Sequence, residues 1–271
     1  MSRFTLIFLF LFCFHALSAD TFFCPMKCEG QKTYRKSGDC PVCGMNLEKV
    51  SEETAALPLN SRDYRIELSS QGTTTTFSPR RTKDNSILTA LEISEGSKMD
   101  VVMVSQDLRV FDHQRLMPNS SGTFQFERKF SEAGNYLLYV GITPVGDRPQ
   151  VFPLAFQIEG KKTKDVPLSE SKNHWKEGEI EVHVKVSAPL VSGKPIEIQL
   201  NYQKNHKPFR GLSPHAVLVS EDTTQFVLAH AKGSQKQTLH AVFPKPGLYK
   251  GWFETQIGNR QVTPTFVFRV N

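Results

Sequence analysis

Along most of the chain, apolar and polar residues alternate in short runs broken by turn residues, a period of two that predicts strands. Six such runs precede residue 160: Tyr64–Leu68, Ile87–Ile93, Val101–Val104, Phe124–Phe126, Tyr136–Val140 and Val151–Ile158. Six more follow it: Ile180–Val186, Ile196–Tyr202, His215–Val219, Leu239–Phe243, Tyr249–Phe253 and Thr265–Val270. Each set is the size of an immunoglobulin-like β-sandwich, about seven short strands in roughly 100 residues. The pattern therefore predicts a mainly β protein with sandwiches at residues 63–160 and 174–271, joined by a charged linker at 161–173.

The two sets read as copies. Val101-Val-Met-Val-Ser-Gln-Asp107 with Phe111 aligns with Ala216-Val-Leu-Val-Ser-Glu-Asp222 with Phe226, and Phe130 to Tyr136 aligns with Phe243 to Tyr249. In both copies a glycine, Gly134 or Gly247, stands two residues before a tyrosine that opens a strand, where its backbone freedom serves a turn. An internal duplication is expected.

The first 19 residues break the pattern. Arg3 precedes an apolar run from Leu6 to Phe14, and Ala16-Leu-Ser-Ala19 supplies small residues at a cleavage site, so residues 1–19 read as a secretory signal. The run falls short of the roughly 20 residues a membrane span needs. No later run is apolar enough to insert, so the expected product is periplasmic or secreted and free of the membrane once the signal is removed. A net charge of +6, with basic residues dispersed among acidic ones, offers no basic stripe for nucleic acid.

Between the leader and a linker at 51–62, residues 20–50 hold Cys24, Cys28, Cys40 and Cys43, every cysteine beyond Cys13 of the leader. Cys40-x-x-Cys43-Gly44 is the knuckle spacing of tetrathiolate sites: a tight turn aims backbone amides at the sulfurs, and glycine accepts the positive φ. Four thiolates suit zinc or Cu(I), and the thioethers of Met26 and Met45 extend the set toward copper. Two disulfides are the alternative in an oxidising compartment, and a thioredoxin-like pair lacks its βαβ setting.

Phe23-Cys-Pro-Met26 and Asp39-Cys-Pro-Val-Cys-Gly-Met-Asn-Leu47 resemble the heavy-metal-binding domain of copper and silver efflux proteins and metal-transporting ATPases. The family's usual form is Tyr-Thr-Cys-Pro-Met-His-Pro followed by Cys-Pro-x-Cys-Gly-Met; here Lys27-Cys28 replaces His-Pro, exchanging an imidazole for a thiolate. The resemblance implies a copper or zinc ligand set and a Gram-negative periplasm. The sandwiches, in turn, resemble those that accompany such modules, in which a Met-His pair opens a strand and His-x-His-Pro follows. Here Asp100 stands for the first histidine after Met99, His113 is retained and Arg115 replaces its partner; the second copy keeps His215 and His230 but has Leu228. Met99 with His113, and His215 with His230, are thus further candidate ligands for Cu(II) or zinc. Otherwise these histidines are surface residues, and Met103 on its alternating strand is core.

Nothing in the chain pairs a nucleophile with a base or forms a phosphate loop, so an enzyme is not expected. The leading expectation is an exported heavy-metal-binding protein acting in homeostasis, transfer or detoxification, its sandwiches docking a metal efflux transporter or another exported protein. The alternative is a structural zinc knuckle attached to a sandwich interaction surface.

Overall fold

The computed structural model describes residues 22–23, 33–42, 44, 46–49, 61–94, 96–128, 132–160, 166–171, 173–187, 189–209, 215–231, 238–258 and 260–271. The expected signal sequence, Cys24, Met26, Cys28, Cys43 and Met45 lie outside them. Among the described residues every regular element is a strand, and no helix is long and apolar enough to cross a membrane. The chain divides into two compact units, Met1–Val50 and Ser51–Asn271.

Among its described residues the smaller unit has three two-residue strands, β1 (Phe22–Phe23), β2 (Thr33–Tyr34) and β3 (Glu48–Lys49), paired antiparallel in the order β2-β1-β3. Asp39 bridges Asn46 across the turn that carries Cys40.

The larger unit is a tandem pair of β-sandwiches. The first contains β4 (Tyr64–Gln71), β5 (Thr74–Arg81), β6 (Met99–Ser105), β7 (Phe111–Leu116), β8 (Phe124–Glu127), β9 (Gly134–Ile142) and β10 (Gln150–Ile158). They form one sheet of order β4-β5-β8 and another of order β10-β9-β6-β7. The second sandwich contains β11 (His174–Glu177), β12 (Ile180–Val186), β13 (Pro195–Lys204), β14 (Lys207–Phe209), β15 (His215–Ser220), β16 (Phe226–Ala231), β17 (Thr238–Val242), β18 (Gly247–Phe253), β19 (Thr255–Ile257), β20 (Arg260–Val262) and β21 (Thr265–Val270). Its order β21-β18-β15-β16 repeats β10-β9-β6-β7, and β12-β13-β17 repeats β4-β5-β8. Short pairing of β16 with β17 joins the two sheets of the second copy into one.

Alternation on each strand fills two separate cores. Phe77, Met99, Val101 and Met103 are among the side chains that pack inside the first sandwich, and Val182, Ile198, Leu218 and Phe253 among those inside the second. The opposite faces of β6 and β15 are apolar as well. Val102 and Val104 meet Val217 and Val219 in a third buried cluster that seals one sandwich to the other.

The duplication extends to hydrogen bonds. Ser105 Oγ accepts from Val110 N at 2.9 Å and donates to Asp107 at 2.7 Å; Ser220 Oγ accepts from Gln225 N at 2.9 Å and donates to Asp222 at 2.5 Å. Tyr136 Oη donates to Glu132 O and Tyr249 Oη to Lys245 O, each four residues back. Gly134 and Gly247, at φ +147° and +138°, occupy backbone that favours glycine.

One expected strand is absent. Ile87–Ile93 makes only isolated bridges; Leu88 and Leu91 are both buried, and their spacing of three does not fit a strand face. Its place is taken by β5, whose polar sequence hides an alternation carried by Thr75 and Phe77, 3% and 0% exposed. Strands β7 and β16 were also missed, because their sequences mix polar and apolar residues on faces that meet the other repeat.

Candidate functional site

In the cysteine module, the knuckle turn is formed. Gly44 N donates to Cys40 O at 2.8 Å and Leu47 N to Gly38 O at 2.7 Å, with Gly44 at φ +70°. Cys40 is 2% exposed and forms no disulfide among the described residues. A buried thiol in a tight turn closed by a left-handed glycine fits a thiolate metal knuckle.

The candidate residues of the sandwiches are distributed differently from the sequence expectation. Met99 is 1% exposed in the first core, on the face of β6 opposite Val102. His113 pairs with Val102 in the ladder and so lies on the other face; the structure does not bring Met99 and His113 together. His215 and His230 are direct partners across β15 and β16, and His230 is in turn opposite His240.

What the fold does bring together is one histidine from each repeat and a carboxylate. His113 Nδ1 is 2.7 Å from Glu254 Oε2, and His215 Nε2 is 2.5 Å from the same oxygen. The imidazoles meet edge to face at 5.7 Å between centroids. All three side chains are under 10% exposed. Arg115 Nη2 is 2.7 Å from His215 Nε2 and 3.7 Å from Glu254 Oε2, while its Nε lies 4.0 Å from Asp100. Burial pushes the Glu254 carboxyl up, but hydrogen bonds to His113 and His215 outweigh it and hold the group well below the usual carboxylate range.

Sequence reasoning missed Glu254. It stands five residues after Tyr249, where the first copy has Gly141 five after Tyr136, and this difference between copies was the available signal. His113, Arg115 and His215 line a cavity of about 170 Å³ together with Asp100, Tyr139 and Gln150. A second histidine and carboxylate group lies on β11 and β12: His174 stacks on His183 at 4.6 Å, beside Glu181. There Lys176 Nζ already holds Glu181 at 2.7 Å, and His206 Nδ1 lies 3.5 Å away.

Residues 21–50 match the heavy metal binding domain family. Metal binding is thus the family character of the cysteine module. Residues 176–271, most of the second sandwich, match a domain of unknown function (DUF8832). No curated protein matches the chain in sequence. Among solved structures, a two-domain fibronectin type-III segment of chicken tenascin is 13% identical, covering 76% of this chain and 98% of its own, at a TM-score of 0.21. A putative membrane-anchored protein of Corynebacterium diphtheriae is 8% identical over 78% of this chain and 59% of its own, TM-score 0.23. The Escherichia coli adhesin FdeC is 11% identical over 84% and 71%, TM-score 0.24.

Proposed function

We propose that this chain is an exported, non-enzymatic heavy-metal-binding protein that takes up copper or zinc through Cys24, Cys28, Cys40 and Cys43. The observation that carries this reading is the heavy metal binding domain match over residues 21–50, which contains all four cysteines. The closed turn at Cys40 supports it. Transfer proceeds by thiolate exchange, an incoming ligand replacing one cysteine at a time, so the ion passes on without being released. In this role the protein serves metal homeostasis or detoxification in a periplasm or outside the cell, with an efflux transporter or another exported protein as acceptor.

Elemental analysis of the protein purified from its own compartment without added metal, with a thiol count beside it, tests the reading. About one copper or zinc per chain, with thiols that react only after chelation, is expected for a closed thiolate site. No metal and no free thiols would return the disulfide reading. An ion whose removal unfolds the module would return the structural knuckle.

A further inference from the structure

We propose that His113, His215 and Glu254 form a second metal site, for zinc or Cu(II), held between the two repeats and chemically unlike the cysteine module. His215 Nε2 lies 2.7 Å from a guanidinium nitrogen of Arg115, which can only donate, and 2.5 Å from Oε2 of Glu254, which as a carboxylate can only accept. One ring nitrogen offers either a proton or a lone pair. Whichever it offers, one of the two contacts sets like against like.

A metal ion removes the conflict. It takes the lone pairs of His113 Nδ1, His215 Nε2 and Glu254 Oε2, which all lie within 4.8 Å of one another. Bonds of about 2.0–2.2 Å to zinc place such donors roughly 3.3 Å apart, so the two short contacts lengthen by under ~1 Å. Arg115 is then displaced toward Asp100, whose carboxylate is 4.0 Å from its Nε and already accepts from Ser97 Oγ at 2.9 Å.

A second observation points the same way. Gln150 lines the cavity shared by His113 and His215, is 1% exposed, and neither its Nε2 nor its Oε1 makes a hydrogen bond among the described residues. A buried amide with both ends unsatisfied is costly. Two imidazoles opening on that cavity leave a coordination position for water or an incoming ligand, and the amide is a partner for whatever fills it.

The chemistry separates this site from the first. Imidazole and carboxylate suit zinc and Cu(II), whereas a thiolate set also takes Cu(I). The duplication explains why one site exists and not two. Counted from Ser105 and Ser220, the second copy has His215 where the first has Asp100, and the first has His113 where the second has Leu228. Only the second copy has an acid at the Glu254 position.

The test is a Co(II) titration of the full chain, followed by absorption, with four variants checked for folding by circular dichroism. Wild type is expected to take two equivalents, one with a thiolate-to-cobalt charge-transfer band and one without. Replacing all four of Cys24, Cys28, Cys40 and Cys43 by serine should leave the second equivalent intact. H215Q and, separately, E254Q should keep the charge-transfer band and weaken the other equivalent at least about 100-fold, since losing even a hydrogen-bond partner of a ligand costs about 10–100-fold. H183Q, in the other histidine cluster, should change nothing. A four-serine chain that binds no cobalt, or binding left unchanged by H215Q and E254Q, overturns the proposal. Loss of the charge-transfer band alone counts against the cysteine module and leaves this site standing.

Discussion

Phe111 of the first repeat stacks on Trp252 of the second, with ring centroids 4.8 Å apart and planes at 12°. The equivalent positions in the exchanged sense, Phe226 and Tyr139, stack at 4.5 Å and 29°. Their surroundings repeat the exchange: Tyr139 Oη donates to Thr223 O at 2.7 Å, and Lys250 Nζ donates to Leu108 O at 2.7 Å. Leu108 and Thr223 are equivalent turn residues, both left-handed, at φ +58° and +57°. The two sandwiches thus pack through a pseudo-twofold relation between copies, and this packing carries His113 to His215.

Truncating one stack should weaken that seam specifically. Trp252 is 3% exposed, and Trp252→Ala removes a large buried ring, a change that costs about 3–5 kcal/mol. Because each sandwich keeps its own core, urea unfolding followed by tryptophan-independent circular dichroism is expected to split into two transitions. A single transition shifted to lower urea would mean that the repeats unfold together even without the stack.

The paired serine turns contribute to the acid sensitivity alongside Glu254. Burial pushes the Asp107 carboxyl up, but bonds from Ser105 and Arg109 outweigh it; at Asp222, burial is likewise outweighed by bonds from Ser220 and Thr224. Both folded values lie below the ordinary one, so this stabilisation is complete above the unfolded carboxylate value of about 3.9 and fades as pH falls through the folded values. The double variant Asp107→Asn with Asp222→Asn should show a flatter decline of thermal stability between about pH 5 and pH 2 than wild type. Parallel curves would place the acid sensitivity elsewhere.

Most of this architecture was legible in the sequence, because a strand announces itself when one face is apolar. The repeat alignment of Val101 to Asp107 with Ala216 to Asp222 corresponds to the structural equivalence of β6 and β15, down to the serine turns. What was not legible came from faces that meet another repeat. His113 and Arg115 look like surface residues until His215 and Glu254 arrive from the other copy. Met99 sounded like a ligand beside an acidic residue, yet strand alternation puts it in the core, on the face opposite His113. Glu254 belongs to no motif. Only its contact with two histidines distant in sequence marks it.

The knuckle turn rests on backbone that glycine accepts. At φ +70° Gly44 has open space where a Cβ would project, so the penalty of Gly44→Ala is conformational and not steric contact with neighbours. Left-handed backbone costs an L-residue about 1–2 kcal/mol. Zinc affinity of the cysteine module should therefore drop by roughly 5- to 30-fold in this variant, read by competition with a chromophoric chelator. An unchanged affinity would mean that metal binding does not need this turn.

Arg115 gives the sharpest test of the histidine site, because it separates a metal centre from a hydrogen-bonded charge cluster. If the cluster exists only to hold Glu254, the guanidinium is part of its support, and Arg115→Met should weaken the fold and leave metal affinity low. If the cluster is a metal site, the guanidinium competes with the ion for the lone pair of His215. Two unit charges about 4 Å apart repel by about 4 kcal/mol at an effective dielectric of 20. Arg115 is about one-third exposed and can move toward Asp100, which relieves much of that repulsion. The remaining gain on replacing it with methionine, about 1.4 kcal/mol, corresponds to about tenfold tighter Co(II) binding. The measurement is a competitive titration of the four-serine chain with and without Arg115→Met. Tighter binding is the outcome a metal centre requires, and weaker binding would assign Arg115 to the support of Glu254.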